Sequence, residues 1–227
     1  MKNLILLHGA AGCAEQFEHL RKLLSDDFRV FAFDFSGHGG RAFEADFGIE
    51  KFAGELADFI QKERIENPYI FGYSMGGYVA LKAAAAALIQ PQAMVTLATK
   101  MDWTPESAAQ NARMLNAEKI KEKVPAFAEM LARRHGNDWE LLLQKTASMM
   151  LDMGELPAVL PADLKKINCP VKMTVGDRDN VVSTAETVEA SRHLPEGSYE
   201  IIENLEHPFE KVDVKLLSVL LRSFFGV

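Results

Sequence analysis

The chain has 227 residues, of which 48% are apolar and 25% are charged, and its formal net charge at pH 7 is −7. This length and composition suit one globular domain, or a core domain with an inserted subdomain. The acidic balance argues against nucleic acid as the main partner, because phosphate binding needs clustered Lys and Arg. It also gives no reason to expect binding at an anionic membrane surface.

Short apolar runs alternate with helical patterns along most of the chain. The expected strands are residues 3–7, 29–33, 69–73, 93–98, 171–175 and 199–202. The expected helices are residues 14–24, 49–62, 75–88, 183–192 and 209–225. Strands this apolar that alternate with helices predict a mostly parallel α/β sheet covered by helices on both faces.

Residues 100–163 break this alternation, because they are helical in pattern and contain no convincing strand. We therefore predict a core formed by residues 1–99 and 164–227, with a helical cap inserted at residues 100–163. The cap sequence is rich in Met and Trp, namely Met101, Trp103, Met114, Met130, Trp139, Met149, Met150 and Met153. Helix packing explains any single one of them, but as a group they predict an apolar, adaptable pocket roof. Met101 and Trp103 are the candidates for substrate contact.

Cysteine usage indicates the redox compartment. Cys13 and Cys169 are far apart in the sequence and belong to no CxxC or Cys/His spacing. This predicts two reduced, buried thiols in a cytoplasmic protein, with no zinc site. The apolar run at residues 4–7 is too short for a signal peptide, and no stretch approaches the roughly 20 apolar residues of a membrane span.

The sequence Gly72-Tyr73-Ser74-Met75-Gly76 has the pattern G-x-S-x-G, directly after an expected strand and directly before an expected helix. A serine on such a sharp turn points into open space, and the flanking glycines let neighbouring backbone approach closely. The first N–H groups of the following helix would lie beside its oxygen. The motif predicts Ser74 as a nucleophile, with a structural Gly/Ser turn as the alternative.

A serine hydroxyl needs a base to remove its proton, and the chain has six histidines. His207 follows the last expected strand, which places it at the carboxyl edge of the sheet together with Ser74. It is the predicted general base. His19, His135 and His193 fall within or at the ends of helices, and we expect them at the surface.

The base needs a carboxylate that orients it. Asp177 and Asp179 follow the strand at residues 171–175, and Asp102 follows the strand at residues 93–98 on the same edge. Asp179 is the preferred acid because it lies deeper in its loop. Asp102 and Asp177 stay open as alternatives.

Two N–H donors must hold the oxyanion that forms when a carbonyl is attacked. The backbone of Met75, next after the nucleophile, is one candidate. The loop after the first strand, from His8 to Gly12, is rich in small residues and offers the other, for which we choose Ala10. His8 itself is expected to be a buried histidine that holds this loop.

Together these segments resemble the α/β-hydrolase superfamily. The matching pieces are the His8-Gly9 loop, the run from Asp34 to Gly39, the elbow at Ser74, the acid loop at Asp179 and His207 before the last helix. They occur in the order nucleophile, acid, base. The resemblance implies a serine esterase or thioesterase of a small-molecule substrate, with no cofactor and no metal, in which the cap sets the substrate.

Two departures from the family pattern affect the expectations. The sequence begins at what corresponds to the family's third strand, so we expect a short sheet of about six strands. Glu206 stands where a glycine usually precedes the histidine. A carboxylate there would perturb the base or narrow the pocket.

The run Gly37-His38-Gly39-Gly40-Arg41-Ala42 also fits a dinucleotide fingerprint. We set it aside because no helix opens from it and no second strand ends in an acid about 20 residues later. The expected function is hydrolysis of a carboxylic ester or thioester of a small, largely apolar acyl group. The alternatives are a C–C bond hydrolase, a lyase of the menaquinone-synthesis type, and a non-enzymatic small-molecule receptor on the same fold. The oligomeric state is left open.

Overall fold

The computed structural model describes residues 1–227 and contains one sheet of six strands. The strands are β1 (Lys2–Leu7), β2 (Phe28–Ala32), β3 (Tyr69–Tyr73), β4 (Ala93–Leu97), β5 (Val171–Gly176) and β6 (Gly197–Ile202). Their spatial order is β2-β1-β3-β4-β5-β6, and every neighbouring pair is parallel. This confirms the expected α/β fold with a six-stranded sheet.

The α-helices are α1 (Glu18–Leu24), α2 (Ile49–Lys62), α3 (Met75–Ala85), α4 (Pro105–Met114), α5 (Ala117–Lys123), α6 (Pro125–His135), α7 (Trp139–Glu155), α8 (Pro161–Leu164), α9 (Thr184–Arg192) and α10 (Val214–Phe225). Those outside the stretch between β4 and β5 cover the two faces of the sheet. Alternate residues of β1 face opposite layers. Leu4 and Leu6 belong to the apolar cluster of α1 and α10, whereas Ile5 and Leu7 belong to that of α2 and α3. None of the helices combines the length and apolar character needed to cross a membrane.

Between β4 and β5 the chain forms only helices, α4 to α8. We call residues 100–163, the predicted insertion, the cap. Its helices α4 and α7 pack closely, since a Cβ added at Gly154 would lie 2.5 Å from the Cβ of Ala108. Leu131 of α6 and Trp139 of α7 form a further apolar cluster that includes Ala11, from the loop after β1. The cap therefore packs on a loop at the carboxyl edge of the sheet.

The last predicted helix, residues 209–225, is divided in the structure. Phe209–Lys211 forms a 3-10 turn, and α10 begins only at Val214. The carboxylate of Asp213 accepts the N–H groups of Lys215 at 2.9 Å and Leu216 at 3.2 Å, so it caps a new helix rather than continuing the old one. This break separates the loop that carries His207 from the helix that anchors it.

Candidate active site

Ser74 occupies the turn between β3 and α3. Its φ of 50° and ψ of −117° are sparsely populated for a residue with a side chain, so the turn is strained. The flanking glycines are sterically required. A Cβ at Gly72 would lie 2.4 Å from the Cα of Gly77, and one at Gly76 would lie 2.3 Å from the carbonyl oxygen of Leu7. Close packing of α3 against β1 and β3 therefore depends on both positions and presents Ser74 at the sheet edge.

Three side chains from separate loops meet at this edge. The Oγ of Ser74 lies 3.4 Å from Nε2 of His207, and Nδ1 of His207 lies 2.8 Å from Oδ2 of Asp179. The Asp179 side chain is fully buried, and its Oδ1 accepts the N–H groups of Val181 and Val182 at 2.8 Å each. An ionised carboxylate only accepts hydrogen bonds. This assigns the His207 proton to Nδ1 and leaves Nε2 facing the serine as an acceptor.

The other two candidate acids form no hydrogen bond or ion pair with His207. Asp102 is exposed, and its backbone N–H is bonded to Glu186 at 3.3 Å. Asp177 is exposed just after β5. Of the three aspartates, the structure brings Asp179 to His207.

The side chain of Tyr73 is bonded to the loop that carries His207. Its hydroxyl donates to the carbonyl oxygen of His207 at 2.8 Å. Burial raises the pKa of Tyr73, so the phenol remains a donor well above neutral pH. Because Tyr73 directly precedes Ser74, one side chain ties the elbow to the base. The sequence pattern alone did not single out this residue.

Two free backbone donors lie beside the serine. The N–H of Ala10 has no acceptor among the hydrogen bonds of the loops, and Met75 begins α3, where the first N–H groups have no partner within the helix. Both residues line the same cavity as Ser74. A Cβ at Gly9 would lie 2.8 Å from the Tyr73 ring and 3.1 Å from the Cβ of Ser74, so glycine lets the loop approach the elbow. Donors placed in this way can hold the charge that develops on a substrate oxygen.

Buried histidines support the loop after β1. His8 and His38 are fully buried, with ring centroids 4.8 Å apart. Nδ1 of His8 donates to the carbonyl oxygen of Gly9 at 2.8 Å, and its Nε2 accepts the N–H of Phe35 at 3.2 Å. Burial lowers the pKa of His8 to about 4 and the pKa of His38 well below its ordinary value, so both rings are neutral at pH 7.

The expectation that His135 lies at the surface is wrong. His135 ends α6 and is only 4% exposed. Its Nε2–H donates to the carbonyl oxygen of Ala11 at 2.9 Å, and its Nδ1 accepts the N–H of Gly39 at 3.0 Å. Two core loops cover the end of α6 and satisfy both ring nitrogens, and burial lowers the pKa of His135. By contrast, His19 is exposed and His193 is half-buried.

Ser74 and His207 open on a cavity of about 260 Å³. The cap supplies much of its apolar wall, through Trp103, Met114, Leu115, Phe127, Met149, Met150 and Met153. Met101 does not line it; its side chain packs against the apolar cluster that includes α2 and α3, and its N–H donates to Glu186 at 2.9 Å. Glu206 is exposed and does not line the cavity either. The polar residues in the wall of the cavity include Gln16, Lys100, Asn111, Arg134 and Glu210.

The remaining candidate ligands do not converge. No group of three or more His, Cys, Asp or Glu side chains is arranged to hold a metal ion. Cys13 and Cys169 are free and buried, and burial raises the pKa of both thiols. The arrangement at Ser74 offers a hydroxyl, an imidazole, a buried carboxylate and two free N–H groups. Such a set is suited to nucleophilic attack on a carbonyl.

Comparisons with known proteins agree with the fold. The model of a family described as "Alpha/beta hydrolase family" matches residues 4–211. The chain is 33% identical over 85 residues to 2-succinyl-6-hydroxy-2,4-cyclohexadiene-1-carboxylate synthase of Escherichia coli O81 (strain ED1a). That match covers 37% of this chain and 33% of the E. coli protein, so the matched segment spans about one third of the relative's length.

Two solved structures illustrate the structural likeness. The enol-lactonase from Burkholderia xenovorans LB400 superposes with a TM-score of 0.79 at 17% identity, covering 100% of this chain and 92% of that one. A thermophilic esterase from Thermogutta terrifontis gives a TM-score of 0.75 at 23% identity, covering 99% and 89% of the two chains. At these identities the likeness establishes the fold.

Proposed function

Because the chain belongs to the alpha/beta hydrolase family, we propose that it is a serine hydrolase that cleaves a carboxylic ester or thioester of a small, largely apolar acyl group. The observation on which the proposal rests is the line of contacts from Asp179 through His207 to Ser74, which ends in a cavity beside two free N–H groups. The apolar cap wall of that cavity supports an acyl group with little polarity.

In the first half of the proposed reaction, Oγ of Ser74 attacks the substrate carbonyl carbon while Nε2 of His207 takes the hydroxyl proton. The N–H groups of Ala10 and Met75 hold the negative charge on the former carbonyl oxygen. The buried carboxylate of Asp179 stabilises the imidazolium through Nδ1. Nε2–H then protonates the leaving oxygen or sulfur as its bond to carbon breaks, which leaves an acyl group on Ser74.

In the second half, Nε2 of His207 takes a proton from water, whose oxygen attacks the acyl carbon. The second tetrahedral species collapses, the acid leaves, and the proton returns to Oγ of Ser74. The 3.4 Å between Oγ and Nε2 is longer than a catalytic hydrogen bond, and such contacts commonly tighten when substrate binds. Asp179 needs no rearrangement, since its three hydrogen bonds are already formed.

The similarity to the E. coli synthase supports a second candidate function on the same residues. The imidazole of His207 would then remove a proton from a substrate carbon or assist C–C bond cleavage, with the N–H groups of Ala10 and Met75 holding an enolate oxygen. Both reactions use the same base and the same N–H donors as ester hydrolysis. The lyase reaction differs because it forms no acyl group on Ser74. It is therefore separable from ester hydrolysis by experiment.

The test combines covalent labelling with turnover. We expect a fluorophosphonate probe to label Ser74, as mapped by mass spectrometry, and expect Ser74→Ala to abolish both labelling and hydrolysis of 4-nitrophenyl esters of two to eight carbons. His207→Ala should also abolish both, whereas His19→Ala, at an exposed histidine, serves as the matched control and should retain them. A labelled serine with no turnover of any ester or thioester would favour the lyase or C–C hydrolase. One slow acylation with a shifted melting temperature would favour a receptor.

A further inference from the structure

Lys100 has an unusual environment for a lysine. Its side chain is only 11% exposed, and it lines the cavity that contains Ser74. It follows Thr99, whose hydroxyl donates to the carbonyl oxygen of Ser74 at 3.0 Å, so the backbone here is tied to the elbow. The Lys100 ammonium also lies 5.7 Å from the centroid of the Trp103 ring, another part of the cavity wall.

The one carboxylate near this ammonium is already occupied. Glu186 Oε1 lies 3.7 Å from Lys100 Nζ, beyond hydrogen-bond distance. That oxygen accepts the N–H groups of Met101 and Asp102, and Oε2 accepts both the N–H and the hydroxyl of Ser183. Glu186 thus balances part of the charge of Lys100 but takes none of its three N–H donors. A nearly buried ammonium without hydrogen bonds is unfavourable in an apolar wall.

The charges of the cavity wall are not balanced. The other cation is Arg134, whose guanidinium donates to Glu210 at 2.8 Å, and Glu210 is the one carboxylate in the wall. This pair neutralises itself, which leaves Lys100 as the cation of the cavity wall without a hydrogen-bonded anion. The rest of the wall is dominated by Met, Trp, Tyr and Phe side chains. In such surroundings an ammonium attracts an anionic group strongly.

From these contacts we infer that Lys100 binds a carboxylate of the substrate, so that the preferred ester or thioester is anionic and carries this group on its acyl or its leaving part. The inference rests on the proposed hydrolysis at Ser74 and specifies its substrate class. The apolar wall contacts the chain between the carboxylate and the reacting carbonyl. Lys100 then sets specificity and takes no part in bond breaking.

The test uses two matched pairs of esters. For the acyl side, mono-4-nitrophenyl adipate is compared with 4-nitrophenyl adipamate, in which a neutral amide replaces the free carboxylate. For the leaving side, 4-acetoxybenzoate is compared with 4-acetoxybenzamide. We expect the carboxylate member of one pair to have a kcat/KM at least about tenfold higher, mostly through KM. The pair that shows the preference identifies which part of the substrate carries the anion.

Lys100→Met keeps the apolar stem and removes the charge, and it should bring the ratio within that pair to about one. Lys100→Arg should keep the preference. The matched control is Lys172→Met, at a lysine on β5 that is bonded to Glu200 at 2.8 Å and does not line the cavity. This control should leave the ratio unchanged. A wild-type enzyme with no preference in either pair would overturn the inference, as would an equal loss for both members of a pair in Lys100→Met.

A binding measurement separates this inference from the proposed hydrolysis. Calorimetry with Ser74→Ala protein should detect adipate or 4-hydroxybenzoate, and the double variant with Lys100→Met should bind at least about tenfold more weakly. Binding with this dependence but without turnover of any ester would uphold the anion site and reject the hydrolysis. Turnover of neutral esters with no binding of either anion would uphold the hydrolysis and reject the anion site.

Discussion

Replacing Asp179 by asparagine is expected to disable the base with little change to the fold. In the protein, Oδ1 of Asp179 accepts two backbone N–H groups, and Oδ2 accepts Nδ1–H of His207. An amide has one acceptor end and one donor end. Its oxygen must stay on the two N–H groups, because its NH₂ would meet two donors there. The NH₂ then faces Nδ1 of His207, which forces the imidazole proton onto Nε2, towards Ser74.

The wrong tautomer removes the acceptor that the serine proton needs. In the serine-protease triad the equivalent change lowers kcat by about 10⁴. We expect a similar loss here, which corresponds to about 5.4 kcal/mol of activation free energy at 1.36 kcal/mol per tenfold. The free energy of unfolding should fall by only about 1–2 kcal/mol, because all three hydrogen bonds keep a donor and an acceptor while losing their ionic character. Stopped assays of 4-nitrophenyl butyrate and thermal unfolding measure the two quantities.

Asp102→Asn is the matched control, since Asp102 is exposed on the same sheet edge and is not hydrogen-bonded to His207. It should change kcat by less than about twofold. If Asp179→Asn retains more than a tenth of wild-type kcat, or if Asp102→Asn causes the large loss instead, the tautomer argument is refuted. A large drop in melting temperature for Asp179→Asn would show that the carboxylate acts mainly in folding.

Three further predictions concern the elbow and the buried histidines. Gly76→Ala places a Cβ 2.3 Å from the backbone of β1, so it should abolish labelling of Ser74 by the fluorophosphonate probe and lower the melting temperature sharply. Its control is Gly54→Ala in α2, where a Cβ meets open space, and this change should raise the free energy of unfolding by about 0.5–1 kcal/mol. The free energy of unfolding should fall as the pH drops from 6.5 towards 4, because the unfolded chain protonates His8 and His38 while the fold holds their pKa lower, at about 4 for His8. A denaturant series that gives the same value at pH 7 and pH 5 would contradict this. His135→Gln, which can still donate and accept, should retain more kcat than His135→Phe at equal KM.

The parts of the molecule that the sequence predicted are those with local causes. Apolar runs of five or six residues form the buried strands, and the G-x-S-x-G spacing reflects two backbone contacts that only glycine allows. The position of His207 after the last strand was enough to place it at the edge that carries Ser74. These features depend on the order of elements in a parallel sheet, which a sequence pattern records directly.

The parts that the sequence did not predict depend on packing between distant segments. The burial of His135 requires the loops at Ala11 and Gly39 to close over the end of α6, 96 residues away from Gly39 in the chain. Met101 was assigned to the pocket by residue type, but its backbone is bonded to Glu186 and its side chain turns to the core. The pattern of apolar and polar residues within one segment does not indicate which distant segment it will contact.

The placement of His135 also bears on how the cap acts. If the cap formed only part of the cavity wall, it would be independent of the loops around Ser74. In this protein the cap histidine donates to the carbonyl oxygen of Ala11, and Ala11 itself belongs to the apolar cluster of α6 and α7. The peptide before Ala11 contains the carbonyl of Ala10, whose own N–H is a candidate oxyanion donor. The loop after β1 is thus bonded to the cap through His135 at Ala11 and to His8 at Gly9. Because Ala10 lies between these two contacts, the position of its N–H depends on how the cap packs. We therefore expect a change of cap sequence to alter both the cavity wall and the position of the Ala10 N–H, because both depend on this one loop.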